Sequence, residues 1–293
     1  MKKAGLLFII LSLSISTSMF CENFPLDGHY RFTVYSGLSR IDISNGNLVY
    51  VFHDTKKENY SVPYEFIHID GMPFIKLSEK FPKELTEFYI YKNQTNIVTD
   101  DKILILAGKS EEDKYPILLA TTTGFYKRYP CTETVISEQV RNYKDCSSYL
   151  IEKNKDYPVK NLNILAADFP WVEGVPGDGI GEGFTIENSW GEIYPYLLIM
   201  NGYISYEKPY LYKQNGRVKK IKIRGLKSGK SEILDVLDTP HLQTVDISFI
   251  TEPEDIRIEI EDVYKGTKYD DTCIHYMITY FEKVVPYENS IGD

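Results

Sequence analysis

The feature that most constrains this chain is an alternation of apolar and polar residues with a period of two. Residues 256–261 read Ile-Arg-Ile-Glu-Ile-Glu, and the segments around Tyr30 and Ile221 alternate in the same way. Such a pattern is typical of β-strands that place one face in a core and the other in water. Asn45-Gly46 and Asp70-Gly71 separate further apolar runs and predict tight hairpins. The sequence therefore predicts an all-β protein that begins with an antiparallel meander or small barrel.

Three polar, turn-rich segments interrupt the strands in the second half of the chain. Residues 170–183 contain five glycines, and the other two segments are residues 201–203 and 265–273. Because only glycine enters positive φ freely, this density indicates sharp turns or close backbone approaches. We interpret the three segments as loops gathered at one end of a β-sandwich.

The same segments carry a family resemblance. Residues 171–182 read WVEGVPGDGIGE, residues 200–203 read MNGY, and residues 262–274 read DVYKGTKYDDTCI. Together with CSSYLIEKNKDYPVKNL at residues 146–162, these motifs resemble the NADase-type glycan-binding domain. That domain is a discoidin-like (F5/8 type C, galactose-binding-like) module. The resemblance covers residues 143–283 and implies a jelly-roll β-sandwich.

The resemblance implies binding and not NAD cleavage, because the enzymatic domain of the toxin that gives the family its name has no counterpart in this sequence. Discoidin relatives often follow Asn-Leu with Asp-Gly, a loop that can help to hold Ca²⁺. Here Asn161-Leu162 is followed by Asn163-Ile164. The resemblance therefore implies no calcium site at this position, and no cofactor is expected.

Seven side chains in or beside the three loops are the predicted ligand-binding residues. Aromatic rings stack on the apolar face of a sugar, while carboxylates and amides accept hydrogen bonds from its hydroxyl groups. For the tryptophan of this set two alternatives stay open, a partly exposed stacking platform and a plug in the core. The seven residues are Trp171, Glu173, Asn201, Tyr203, Tyr269, Asp270 and Asp271.

Composition predicts how the chain is divided. A positive start, an apolar run at 6–13 and small residues at 16–18 are typical of a secretory signal, which we assign to residues 1–21. We assign residues 22–125 to a β-rich N-terminal domain, 126–145 to a connector, 146–284 to the discoidin-like domain and 285–293 to a tail. The expected location is the periplasm, the cell surface or the extracellular space, and lipidation of Cys21 stays open as an anchor. No later segment is long and apolar enough to be transmembrane.

The cysteines and histidines favour a structural role. Cys131 and Cys146 flank a polar segment, and because an exported protein meets an oxidising compartment, we predict that they form a disulfide. Cys273 is expected to be a buried free thiol. The histidines lack the spacing of a metal-ligand set, so no metal site is predicted. No G-x-S-x-G elbow is present, and no catalytic residue is predicted.

Charge and motifs together lead to a functional prediction. The formal net charge of -9 disfavours binding to the phosphate backbone of a nucleic acid. The sequence predicts an exported bacterial, non-enzymatic protein whose sandwich binds a glycan or other cell-surface carbohydrate. The alternative is a structural or scaffold protein of the cell envelope that binds another protein.

Overall fold

The computed structural model describes most of the second half of the chain and the strands of the first half. The signal region, Cys21, Cys131 and most of the predicted connector lie outside the described residues. No helix within the described part is long and apolar enough to cross a membrane. The described residues are 26, 28–32, 38–52, 55–56, 58–79, 95–98, 102–107, 117–125, 141–163 and 169–286.

The first half forms an antiparallel sheet that closes on itself. Each strand from β1 to β5 pairs with the next, β1 also pairs with β6, and β8 pairs with both β5 and β7. This ring of pairings confirms the predicted small barrel. The strands are β1 Gly28–Phe32, β2 Leu38–Ser44, β3 Asn47–Phe52, β4 Tyr60–Ile69, β5 Met72–Leu77, β6 Thr95–Val98, β7 Lys102–Ala107 and β8 Ile117–Phe125.

The two predicted hairpins of the barrel are present. Asn45 and Gly46 connect β2 to β3 with φ of 50° and 73°. Asp70 and Gly71 connect β4 to β5 with φ of 52° and 82°. Positive φ at both central residues belongs to the turn whose twist matches that of the flanking strands. These dipeptides therefore fix the register of both hairpins.

The second half forms a β-sandwich. Its strands are β9 Tyr143–Lys144, β10 Ile151–Glu152, β11 Lys155–Asp156, β12 Trp171–Val172, β13 Gly183–Ile186, β14 Tyr196–Asn201, β15 Gly216–Gly225, β16 Ser231–Asp235, β17 Gln243–Asp246, β18 Ile256–Tyr264 and β19 Thr272–Tyr280. A short helix, α1, spans Leu211–Gln214, and a 3-10 turn spans Val159–Asn163. One layer has the order β17-β14-β19 with β12 beside β19, and the other has the order β16-β15-β18-β13-β9. The layers join where β15 and β19 pair in parallel for two residues.

The sandwich core lies between these layers, and strand alternation supplies it. In β18 the side chains of Ile256, Ile258 and Ile260 are buried, as the period of two predicts. From the opposite layer, Leu197 and Ile199 of β14 enter the same cluster. Complete burial of one such aliphatic side chain contributes about 1.5–3 kcal/mol to stability. The hydrophobic cluster therefore accounts for the pairing of these two layers.

The outer face of the β14 layer is also buried, because the barrel covers it. Leu198 of β14 and Tyr276 and Ile278 of β19 form one cluster with Met72 and Phe74 of β5. The hairpin β4–β5 thus packs on the sandwich. The strands of this layer carry apolar residues on both faces, which explains why their sequences do not alternate.

The chain returns to the barrel after β19. Strand β20, Val284–Pro286, pairs antiparallel with the end of β8, and the Thr244 hydroxyl of β17 donates a hydrogen bond to Val284 O at 2.6 Å. The segment from residue 285, assigned to a tail from the sequence, therefore begins inside the barrel sheet. Its apolar Val-Val-Pro start suits a strand better than a solvated tail.

Candidate functional site

The three predicted loops meet at one end of the sandwich, which we call the β12 end. Val172 pairs with Cys273 in the ladder between β12 and β19. Glu173 N donates to Thr272 O at 3.2 Å, and Gly202 N donates to Cys273 O at 3.1 Å. The start of β19 therefore connects the glycine-rich loop on one side to the 201–203 turn on the other.

Trp171 is completely buried at this end. Its ring lies edge-on to Phe184, with ring centroids 5.2 Å apart, and Nε1 donates to Ser148 O at 3.1 Å. The indole thus satisfies its only polar group inside the core. This corrects the expectation of a partly exposed stacking platform, because the pairing of β12 with β19 turns the side chain inward.

Glu173 is also buried, and its carboxylate organises the loop backbone. Oε2 accepts a hydrogen bond from Val175 N at 2.9 Å, and Oε1 accepts one from Thr272 N at 3.1 Å. Burial raises the pKa of Glu173, although these two N–H donors act in the opposite direction. A Cβ at Gly179, whose φ is +66°, would lie 2.4 Å from Glu173 Cγ, so glycine is required there. Its burial corrects the prediction that Glu173 contacts a ligand.

Asn201 joins the two layers of the sandwich. Its amide Nδ2 donates to Val218 O at 2.7 Å and to Leu237 O at 3.2 Å, while Oδ1 accepts from Val218 N at 3.0 Å. The side chain has no exposed surface, and a register shift in β14 at this residue directs it inward. All of its printed hydrogen bonds go to backbone groups, so we correct its predicted ligand role to a structural one.

Tyr203 belongs to a group of rings that the sequence did not single out. Its ring lies 6.0 Å from that of Tyr157, edge to face, and both are largely buried. Lys155 Nζ, on the β10–β11 hairpin, lies 4.8 Å from the centroid of Tyr157, 5.7 Å from Phe169 and 5.9 Å from Tyr203. Phe169 is 37% exposed. We call Lys155, Tyr157, Phe169 and Tyr203 the aromatic cluster.

Carboxylates lie beside the aromatic cluster. The Tyr157 hydroxyl donates to Glu152 Oε2 at 3.2 Å. Burial raises the pKa of Asp271, and the nearby charges of Asp270 and Glu152 raise it further. Such mutual influence means that the three carboxylates share one region of the surface. The β12 end therefore combines an accessible ring with hydrogen-bond acceptors.

Tyr269 and Asp270 are the most exposed of the predicted ligand-binding residues. Tyr269 is 36% exposed, and Lys268 Nζ lies 4.8 Å from its ring centroid. The backbone N–H of Tyr269 donates to Gln214 O at 2.8 Å, which fixes the loop against α1. These two residues and Asp271 remain at the surface, where their binding role stays a prediction.

Comparison with protein families identifies the sandwich. Residues 136–280 match the family described as NAD glycohydrolase translocation F5/8 type C domain. This region is an F5/8 type C domain. The match agrees with the resemblance drawn from the motifs, and the described family is a translocation domain and not a catalytic one. No curated protein matches the sequence.

One solved structure is similar to the F5/8 type C domain at low identity. It is the family 32 carbohydrate-binding module of NanJ from C. perfringens in complex with galactose. The identity is 13%, the alignment covers 51% of this chain and 96% of that chain, and the TM-score is 0.35.

The cysteines of the F5/8 type C domain are structural groups. Cys273 is fully buried, and burial raises the pKa of its thiol well above the usual range, so it stays protonated and unreactive. Cys146 carries a free thiol that donates to Ser148 O at 3.0 Å. Cys131 lies outside the described residues, so the Cys131–Cys146 disulfide stays a prediction. Within the described ranges, no three His, Cys, Asp or Glu side chains come together as a metal site.

Proposed function

We propose that this chain is an exported bacterial protein whose F5/8 type C domain binds carbohydrate at the β12 end without catalysing a reaction. The family match supports a module that does not itself perform chemistry. The observation that carries the proposal is the aromatic cluster, in which an exposed ring lies beside a cation and several carboxylates. Such a mixture of apolar face and hydrogen-bonding groups is what a sugar ring presents in return.

Phe169 supplies the apolar contact in this proposal. At 37% exposure its ring has a free face, whereas Tyr157 and Tyr203 are buried beneath it and keep Lys155 in place. Stacking on Phe169 removes apolar surface of both partners from water. Because its partner rings are fixed by packing, Phe169 binds with little loss of conformational freedom.

Lys155 and the carboxylates supply direction. The Lys155 ammonium already donates to the Tyr203 hydroxyl at 3.3 Å, and its remaining donors reach sugar hydroxyl oxygens. Asp271 and Asp270 accept hydrogen bonds from hydroxyl groups. A ligand that satisfies both kinds of group is polar and rich in hydroxyls, as a carbohydrate is.

A glycan array with the purified mature chain tests the proposal. We expect one group of related glycans to bind, and we expect Phe169→Ala to weaken that binding at least about ten-fold, as loss of a central aromatic contact does. Ile233→Ala is the matched control, because Ile233 is 53% exposed on the edge strand β16, away from the β12 end. Phe169→Ala should leave the melting temperature nearly unchanged.

Three outcomes contradict the proposal. Silence across the array with one protein partner recovered by pulldown favours the scaffold alternative. Binding that survives Phe169→Ala and Asp271→Asn places the ligand elsewhere. Turnover of NAD or of a chromogenic glycoside that disappears in Asp271→Asn makes the protein an enzyme. Export is tested separately, by the mature N-terminus and by fatty-acid labelling of Cys21 in the expressing cell.

A further inference from the structure

The opposite end of the sandwich carries the other tryptophan of the chain. Trp190 lies between β13 and β14 and is 71% exposed, whereas Trp171 is fully buried. Strand β18 runs from one end to the other over nine residues, which separates the two ends by about 26 Å. A monosaccharide at Trp190 therefore cannot touch the aromatic cluster, so any site here is independent of the proposed function.

The loop that presents Trp190 is held at its base. Asn188 Nδ2 donates to Glu192 O at 2.7 Å, and Glu192 N donates to Asn188 Oδ1 at 3.2 Å. Asn188 N in turn donates to Asp255 Oδ1 at 2.8 Å, and the other oxygen of Asp255 pairs with Lys144 at 2.8 Å. The indole thus lies at the tip of a closed loop, and its exposure follows from the loop geometry.

A shallow open depression of about 290 Å³ lies beside this loop. Its floor is apolar and includes Ile247 and Ile250, while its rim carries the polar side chains of Glu192, Glu252 and Thr279. Asn188 and Glu192, the two residues that clamp the Trp190 loop, both line it. The indole and the depression therefore form one continuous surface with an apolar base and hydrogen-bond acceptors around it.

We propose that this surface is a second carbohydrate site, which takes a neutral or an amino sugar. The Trp190 indole stacks on the apolar face of the sugar ring. The carboxylates and hydroxyl of the rim accept and donate hydrogen bonds with its hydroxyl groups, and the Ile247–Ile250 floor receives an apolar edge of the ring.

The charge of the rim selects among ligands. Glu187 and Glu252 are paired with Lys144 and Lys227, whereas no cation among the described residues pairs with Glu192. The surface thus keeps a net negative charge, which repels acidic sugars and anionic lipid headgroups and attracts an ammonium group. An exposed tryptophan that inserts into an anionic bilayer would need the opposite charge pattern around it.

Tryptophan fluorescence of the whole chain gives a direct test. Acrylamide quenches the accessible Trp190 and leaves the buried Trp171 largely unquenched. The probes are galactose, galactosamine and galacturonate, and the same series built on glucose, which differ in charge on a constant ring. We expect the neutral and amino sugars of at least one series to protect Trp190 from quenching, and the uronates to have no effect.

Two variants make the assignment specific. Trp190→Phe should abolish the quenchable component, and Glu192→Gln should weaken the amino sugar about ten-fold through loss of a hydrogen bond to a charged group, while the neutral sugar is unchanged. Phe169→Ala should leave this protection intact, which separates the site from the β12 end. The proposal is overturned if no neutral or amino sugar protects Trp190, if the uronates protect it equally, or if phosphatidylglycerol vesicles protect it where sugars do not.

Discussion

Protonation of His241 is expected to destabilise this protein below neutral pH. His241 is almost completely buried in the connection between β16 and β17, next to Leu242 in the cluster shared by the barrel and the sandwich. Burial, with a smaller contribution from the nearby His68, lowers the pKa of His241 from 6.5 to about 3. In the unfolded chain the same imidazole takes up a proton at its ordinary pKa.

The sign and size of the effect follow from linkage. Between pH 6.5 and pH 3 the unfolded state binds more protons at this residue than the folded state, so stability falls as the pH falls. With pKa values of 6.5 unfolded and about 3 folded, the loss between pH 7 and pH 5 is about 2 kcal/mol. It is largest near pH 3 and absent well above pH 6.5.

Urea unfolding at pH 7 and pH 5, followed by circular dichroism, measures this loss. His241→Gln keeps a polar side chain without a titrating ring, so its stability should fall by about 2 kcal/mol less than that of the wild type over the same interval. His68→Gln is the control, because His68 is exposed and should account for only a small part of the difference. If His241→Gln and the wild type lose equal stability between the two pH values, the buried neutral imidazole is not the cause.

The remaining predictions concern the β12 end. Trp171→Ala should destabilise the protein by about 3–5 kcal/mol in urea unfolding, as large aromatic truncations in cores do; a loss below 1 kcal/mol, within the range of surface substitutions, would place the indole outside the core. Gly179→Ala should lower the melting temperature more than Gly177→Ala, because both have positive φ but only Gly179 faces an atom closer than 3 Å; equal effects would remove the steric argument. Asn201→Ala should cost about 1–3 kcal/mol, because it leaves buried backbone groups of β15 without a partner, and a neutral result in thermal unfolding would contradict this.

The fold could be predicted where local chemistry decides it. The turns at Asn45-Gly46 and Asp70-Gly71 need positive φ, and the side chains of these residues allow it, so both hairpins were visible in the sequence. The alternation of residues 256–260 likewise showed which face of β18 is buried. The closure of the barrel could not be predicted in this way, because the pairings of β8 with β5 and β7 join distant segments with no local signal.

Strand β19 shows the limit of periodicity. All nine of its residues are buried, since one face meets the sandwich core and the other meets the barrel. A sequence without alternation does not reveal what covers its second face. The packing of the two halves was therefore missed, although the apolar composition of this segment was plain.

The candidate site was predicted in its place but not in all of its residues. The convergence of three loops follows from their turn composition and from the family resemblance. Trp171 is flanked by proline and lies near glycines, a loop-like context, yet its pairing with Ile274 buries it. Lys155 and Phe169 were missed because the β10–β11 strands have only two residues each, too few for a periodic signal.

The return of the chain into the barrel through β20 has a mechanical consequence. Because β8 precedes the sandwich and β20 follows it, the sandwich is an insertion into the barrel, tethered to it by two covalent crossings. A module on a single linker can swivel freely, whereas one on two tethers and a shared hydrophobic cluster turns with its base. A pull on a ligand at the β12 end would therefore be divided between the two crossings, and the short ladder of β20 on β8 would bear part of the load.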